Sequence, residues 1–260
     1  MVNRKKSPKW KSAAARRLFA LAGNPATIEE AARIVATETI RGVTHPPLDL
    51  DALAERLRVG PIQYEDVPFS GELRPVGRGY VVVCSKHLAL PRRRFTVAHE
   101  LSHAILERSG PNCPRTGPEL ERICDMLASE LLMPHSLFLE RAGQHASVEQ
   151  IFELARIFQT SLAATALRFA KLLNVSVFQV ESDSVVWGYG IVNKGPTKLL
   201  DSDLQRLACD GIAGGSGQMT LRLMARGFSR PWHAEYRGMT GNRVLFLLQS
   251  PQSRASAKAS

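Results

Sequence analysis

This 260-residue sequence lacks several features that would place it in a specialised class. No apolar stretch approaches the ~20 residues of a membrane-spanning helix, so no membrane association is expected. The apolar run 18–22 is shorter than the ~7–15 residues of a secretory signal core. The four cysteines show no C-x-x-C spacing, which indicates reduced thiols. Together these absences predict a soluble globular protein of the cytoplasm.

Acidic residues are missing from the first 25 positions. This segment carries seven basic residues, namely Arg4, Lys5, Lys6, Lys9, Lys11, Arg16 and Arg17. The formal net charge is +10, so subtracting +7 leaves only +3 for residues 26–260. We interpret residues 1–25 as a basic flexible tail. Binding to nucleic acid or an acidic partner is an alternative, and a eukaryotic transit peptide has a similar composition.

The most specific pattern is His99-Glu100-Leu101-Ser102-His103, inside a run without Gly or Pro over residues 92–108. Apolar residues at helical spacing predict a partly buried helix: Val97, Ala98, Leu101, Ala104 and Ile105. Residues four apart on a helix share a face, with Cβ atoms about 5–6 Å apart. Two such imidazoles can bind one metal ion, and a carboxylate after the first can reach a water on that ion. The alternative is two surface histidines on an amphipathic helix.

A third metal ligand is expected further along the chain, as a carboxylate, a histidine or a cysteine. Residues 118–134 predict a second helix, with Pro118 in its first turn and Pro134 at its end. At about 100° per residue, one stripe of this helix faces the core. That stripe consists of Leu120, Ile123, Leu127 and Leu131.

The acidic residues of this second helix differ in the direction they face. Glu121 lies beside the core stripe and faces inward, whereas Glu119 and Glu130 point towards water. Asp125 follows Glu121 by one turn, where it can accept the remaining N–H of a ligating histidine. We therefore interpret Glu121 as the third ligand. A solvated helix glutamate is the ordinary alternative.

These two helical segments resemble the ImmA/IrrE metallopeptidases, the M78 peptidase family. The likeness lies in residues 94–103 and in the acids and apolar residues of 121–134. It extends upstream to Gly71 and the strand-like residues 80–84, and downstream to about residue 173. Many zinc peptidases share the first motif, but few share the second.

The resemblance implies an α+β fold with a zincin-like metallopeptidase domain, which contains a small antiparallel sheet and an active-site helix. It implies His99, His103 and Glu121 as metal ligands and Glu100 as the catalytic base. Zn²⁺ is the expected ion, although the same ligands accept Mn²⁺ or Fe²⁺. The implied substrate is a repressor protein of a phage, a mobile element or a stress regulon, cleaved at one site. A strand over residues 79–84 is expected to hold this substrate by backbone pairing.

Changes in periodicity predict the organisation of the chain. The zincin-like domain should span residues 26–145, with helices near 28–41 and 50–58 and short strands before the first motif. Residues 146–174 resemble a helix-turn-helix unit packed on that domain. Residues 175–250 predict a small α+β C-terminal domain, and 251–260 a disordered tail.

Two non-enzymatic functions are alternatives to the peptidase. One is a metal-binding transcriptional regulator whose helix-turn-helix contacts DNA, and the other is an antitoxin-like binding protein. DNA binding has weak support because only Arg168 and Lys171 are basic on the presumed recognition helix. A structural metal site usually has four protein ligands, and the sequence offers three. Nothing in the sequence predicts an oligomeric state.

Overall fold

A computed structural model describes residues 10–108, 117–143, 146–182, 184–190, 197–198, 202–225 and 228–249. The chain divides into two compact units. The first comprises residues 1–138 and 157–160, and the second comprises 139–156 and 161–260. The division predicted from the sequence is finer than this one, and its boundaries stay a prediction. None of the described helices has the length and apolar character needed to cross a membrane.

The first unit begins with helices α1 (Ala13–Leu21), α2 (Ile28–Thr39) and α3 (Leu50–Arg56). The last two were predicted, and Thr27 caps α2 by accepting a hydrogen bond from the N–H of Glu30.

The prediction of a flexible tail over residues 1–25 is wrong for residues 13–21, which form helix α1. Residues 1–9 lie outside the described part of the chain. Helix α1 is amphipathic, and one face is fully buried: Ala14, Ala15 and Leu18. The high local charge concealed this short apolar face.

A three-stranded sheet follows, formed by β1 (Gln63–Glu65), β2 (Gly71–Val76) and β3 (Gly79–Ser85) in the order β1-β3-β2. Strand β2 runs antiparallel to β3, but β1 runs parallel to it. The sheet is therefore mixed, where an antiparallel one was expected. Since β3 is paired on both sides, it is the central strand, and β2 lies at an edge.

The backbone register shows which groups of β2 face its free edge. Ser85 donates its N–H to the carbonyl of Ser70 at 3.0 Å, so these two residues form a hydrogen-bonded pair. Hydrogen-bonded pairs alternate along an antiparallel ladder. The backbone groups of Gly71, Leu73 and Pro75 therefore point away from β3. Pro75 has no N–H to donate, which suits this outward position.

Two long helices carry the motifs found in the sequence. Helix α4 (Leu90–Arg108) contains the first motif, and α5 (Pro118–Leu132) contains the second. Every residue of the predicted stripe on α5 is at most 2 % exposed, and every residue of the predicted stripe on α4 is at most 7 % exposed. Both helices contribute to one core with α1, α2 and α3. The two helix predictions are confirmed.

Helices α6 (His135–Ala142), α7 (Val148–Phe158) and α8 (Leu162–Leu173) follow. The last two were predicted, and Ser161 caps α8 by accepting from the N–H of Ala164. Gln159 adopts a left-handed conformation, with φ of +52°, in the turn between them. Their role as a helix-turn-helix stays a prediction.

The second unit contains a six-stranded antiparallel sheet in the order β6-β5-β4-β9-β8-β7. Its elements are β4 (Ser176–Glu181), β5 (Ser184–Tyr189), β6 (Thr197–Lys198), α9 (Ser202–Ile212), β7 (Ser216–Ala225), β8 (Phe228–Met239) and β9 (Arg243–Gln249). Strand β8 was missed because Pro231 and several charged residues conceal its alternation. The predicted disordered tail 251–260 lies outside the described residues.

Candidate metal centre

The two histidines of the first motif lie on the same face of α4. Their Nε2 atoms are 3.2 Å apart, and their ring centroids are separated by 5.0 Å. Both side chains are largely buried, with 15 % of His99 and 13 % of His103 exposed. The helix therefore presents two imidazole nitrogens at one point, as the four-residue spacing predicts.

Helix α5 brings Glu121 to the same point. Its Oε2 lies 3.1 Å from Nε2 of His99, and its Oε1 lies 3.8 Å from Nε2 of His103. One ligand atom from each of the three residues falls within 4.8 Å of the others. Within the described ranges, no other trio of His, Cys, Asp or Glu meets that criterion. The structure thus brings together the three residues that the sequence proposed as ligands.

Asp125 determines the orientation of the His99 ring. Its Oδ1 lies 2.9 Å from Nδ1 of His99, on the side of the ring opposite Glu121. A carboxylate in this position accepts the Nδ1–H, which leaves the lone pair of Nε2 directed into the cluster. The predicted outer partner therefore lies where it can act, and it is 55 % exposed.

The chemistry of the three side chains fits a divalent cation. Burial, and to a smaller extent the nearby His99, lowers the pKa of His103. A low pKa favours the neutral imidazole, which is the form that binds a metal. Two neutral nitrogens and one carboxylate form a set that Zn²⁺, Mn²⁺ and Fe²⁺ all accept. With both rings neutral, the single carboxylate gives the cluster one negative charge, which attracts a cation.

Glu100 follows His99 on the helix but is not one of the converging groups. Burial raises the pKa of its carboxyl group, while the nearby His99 and the backbone N–H of Leu73 act in the opposite direction. A buried carboxylate with a raised pKa is a stronger proton acceptor than a solvated one. Glu100 therefore has the environment expected of a general base.

Glu119 of α5 has surroundings that differ from the prediction. Its carboxylate accepts hydrogen bonds from the backbone N–H groups of Lys11 and Ser12, at 3.2 and 2.9 Å. It was expected to face water, but it binds the start of α1 instead. No local pattern signals this contact, because the partners lie more than one hundred residues away in the chain.

Comparisons with known proteins agree with this description. A solved structure of a Mycobacterium tuberculosis transcriptional regulator shares the fold, with a TM-score of 0.54 at 14 % identity, covering 94 % of this chain and 82 % of that one. No curated protein matches the sequence. The family model described as the IrrE N-terminal-like domain, Peptidase_M78, matches residues 50–170, which include both motifs. Residues 50–170, slightly less than half of the chain, are therefore similar to the Peptidase_M78 domain.

Proposed function

We propose that this protein is a metal-dependent endopeptidase. The observation that carries the proposal is the convergence of His99, His103 and Glu121, with the half-buried Glu100 on the same helix as the two histidines. We infer that these three side chains bind the metal and that Zn²⁺ is the resident ion. Mn²⁺ and Fe²⁺ are alternatives with the same ligands.

The proposed mechanism is hydrolysis of a peptide bond. His99, His103 and Glu121 would hold a divalent cation, which would act as a Lewis acid on the scissile carbonyl and on water. Glu100 accepts the proton that the attacking water loses, and it then delivers this proton to the leaving amine. Asp125 retains the proton on Nδ1 of His99, so that Nε2 stays available as a ligand.

Substrate binding is proposed to use β2. Residues 79–84 were expected to hold the substrate, but they form the central strand β3, which β1 and β2 flank on its two sides. That assignment is corrected because only an edge strand can accept an additional strand. In β2, the backbone groups of Gly71 and the carbonyl groups of Leu73 and Pro75 point outward, so an extended substrate segment can pair with them.

We further propose that the substrate is a transcriptional repressor, of the helix-turn-helix type that the family resemblance implies. The test uses the purified full-length protein, Zn²⁺ and the repressor encoded beside its gene. Two fragments are expected. Glu100→Gln should slow cleavage by about 10²–10⁴-fold, because general-base catalysis contributes that much.

The control is the Zn²⁺ content of the same Glu100→Gln protein, which should equal that of the wild type because Glu100 is not a ligand. His103→Ala should lose both metal and activity. Cleavage by Glu100→Gln at the wild-type rate would remove Glu100 from the mechanism.

A non-catalytic regulator is the second candidate, and the consecutive helices α7 and α8 favour it. In that case the repressor would stay intact, and the protein would bind DNA with an affinity that falls steeply as salt is raised. An antitoxin-like role predicts a stable complex with an uncleaved partner. Incubation with the neighbouring repressor distinguishes these outcomes.

A further inference from the structure

Gly71, the first residue of β2, lies in a notch on the surface of α4. A Cβ atom added to it would lie 2.3 Å from Cγ2 of Thr96 and 3.5 Å from Cγ of Glu100. The first distance is far shorter than any normal carbon–carbon contact. Gly71 is not among the glycines with positive φ, so its backbone conformation is open to other residues. Close packing on α4, and not backbone conformation, therefore requires a glycine here.

Two of the three atoms nearest to this added Cβ belong to one face of α4, and the third is the backbone oxygen of Val83 at 3.4 Å. Thr96 and Glu100 are four residues apart, so their side chains are neighbours on the helix surface. Thr96 is buried, with 5 % exposed. The backbone of β2 therefore packs directly against the stem of Glu100.

Leu73 is the next residue of β2 whose backbone groups point outward, and it approaches the carboxylate of Glu100. The N–H of Leu73 points towards the free edge of the strand, and its proximity lowers the pKa of Glu100 against the larger effect of burial. The strand thus meets Glu100 at two places, at the stem through Gly71 and at the carboxylate through Leu73. Both contacts depend on how closely β2 approaches α4.

We propose that Gly71 is a positioning residue for Glu100. By allowing β2 to pack on α4, it confines the Glu100 side chain to one orientation and keeps the Leu73 N–H beside the carboxylate. The inference rests on the proposed role of Glu100 as the general base. A methyl group at position 71 would push β2 away from α4 and allow the Glu100 side chain to rotate.

The experiment compares four variants of the full chain. Gly71→Ala introduces the clash, and Thr96→Ser removes the Cγ2 methyl group that it would meet. The double variant combines both changes. Gly60→Ala is the matched control, because an added Cβ would lie 2.8 Å from Cγ1 of Val81 in the same sheet. The nearest atoms to that Cβ all belong to Val81 and Tyr80, so this clash does not involve Glu100.

The measurements are kcat and KM for the cleaved repressor, Zn²⁺ affinity by competition with a chelator, and the thermal unfolding midpoint. For Gly71→Ala we expect kcat to fall by roughly 10²-fold, as a displacement of about 1 Å can cause. Its Zn²⁺ affinity should stay at the wild-type value, while KM should rise because β2 is also the proposed substrate strand. The double variant should regain most of kcat. Gly60→Ala should lose thermal stability but keep kcat in its folded form.

Three results would overturn the proposal: wild-type kcat in Gly71→Ala, an equal loss of kcat in Gly60→Ala, or no recovery in the double variant. If the wild-type protein cleaves no repressor, the proposed function fails separately. Hydrogen exchange of the Leu73 amide then tests the packing of β2 on α4 independently of peptidase activity. Exchange should be faster in Gly71→Ala than in the wild type and slower again in the double variant. Equal rates in all three proteins would refute the contact.

Discussion

At the scale of single residues, Asp125 has the clearest consequence for metal binding. Asp125→Ala removes the acceptor of the Nδ1–H of His99, so the ring loses its preferred tautomer and orientation. We expect a fall of about 10–100-fold in Zn²⁺ affinity, as is typical when such partners are lost. Competition with a chromophoric chelator measures this change. Glu130→Ala, which removes an acid from the same helix but outside the cluster, should leave the affinity unchanged.

Glu121 and Asp125 show which residues of the site a helical pattern in the sequence can predict. The sequence places both acids on the flank of the α5 stripe, and the structure brings each to a different nitrogen of His99. The pattern identified the inward face because the apolar positions of one helix share a direction. It did not identify Gly71 and Thr96, since nothing in their spacing shows that β2 packs on α4.

At the scale of secondary structure elements, Glu119 links the start of α5 to the start of α1. The N-terminal N–H groups of a helix lack partners within the helix, and a carboxylate can satisfy them. Glu119→Ala should therefore destabilise α1 and lower the urea midpoint of unfolding. Glu29→Ala is the matched control, because Glu29 is also an acid in a first helical turn but is exposed. An equal effect of the two changes would show that the link contributes nothing.

The same contact makes a pH-dependent prediction. Hydrogen bonds from Ser12 lower the pKa of Glu119 from its usual value of 4.5. A carboxyl group whose pKa is lower in the folded protein stabilises it above the unfolded pKa, and this contribution is lost as the pH falls through the folded value. The difference in urea midpoint between wild type and Glu119→Ala should therefore be full at pH 7 and disappear well below pH 4.5. A difference that persists in acid would contradict the assignment.

At the scale of the whole molecule, the metal ligands all belong to the first unit, on α4 and α5. An ion that binds only the folded protein stabilises it by about 2.7 kcal/mol at a free concentration one hundred times Kd. Removing the metal with a chelator should therefore speed hydrogen exchange in α4 and α5 more than in β4 and β9. In His103→Ala the chelator should have no effect. Equal acceleration in both units would argue against this site.

Features that depend on residues close together in the chain follow from the sequence alone. The spacing of His99 and His103, the inward direction of Glu121 and the caps at Thr27 and Ser161 all follow from helical geometry, and the structure contains each of them. Local periodicity is sufficient for these features because one turn of helix places its own side chains. The resemblance to the M78 family rested on the same local motifs.

Contacts between segments that are distant in the chain are seen only in the folded protein. These contacts place β2 at the edge of the small sheet, pack Gly71 against Thr96 and Glu100, and bind the basic N-terminal helix to Glu119. An apolar stripe shows that a face will be covered, but it carries no information about which distant segment covers it. Those contacts arise when distant segments of the first unit pack into its core, where the distance between two backbones sets the space available to each side chain.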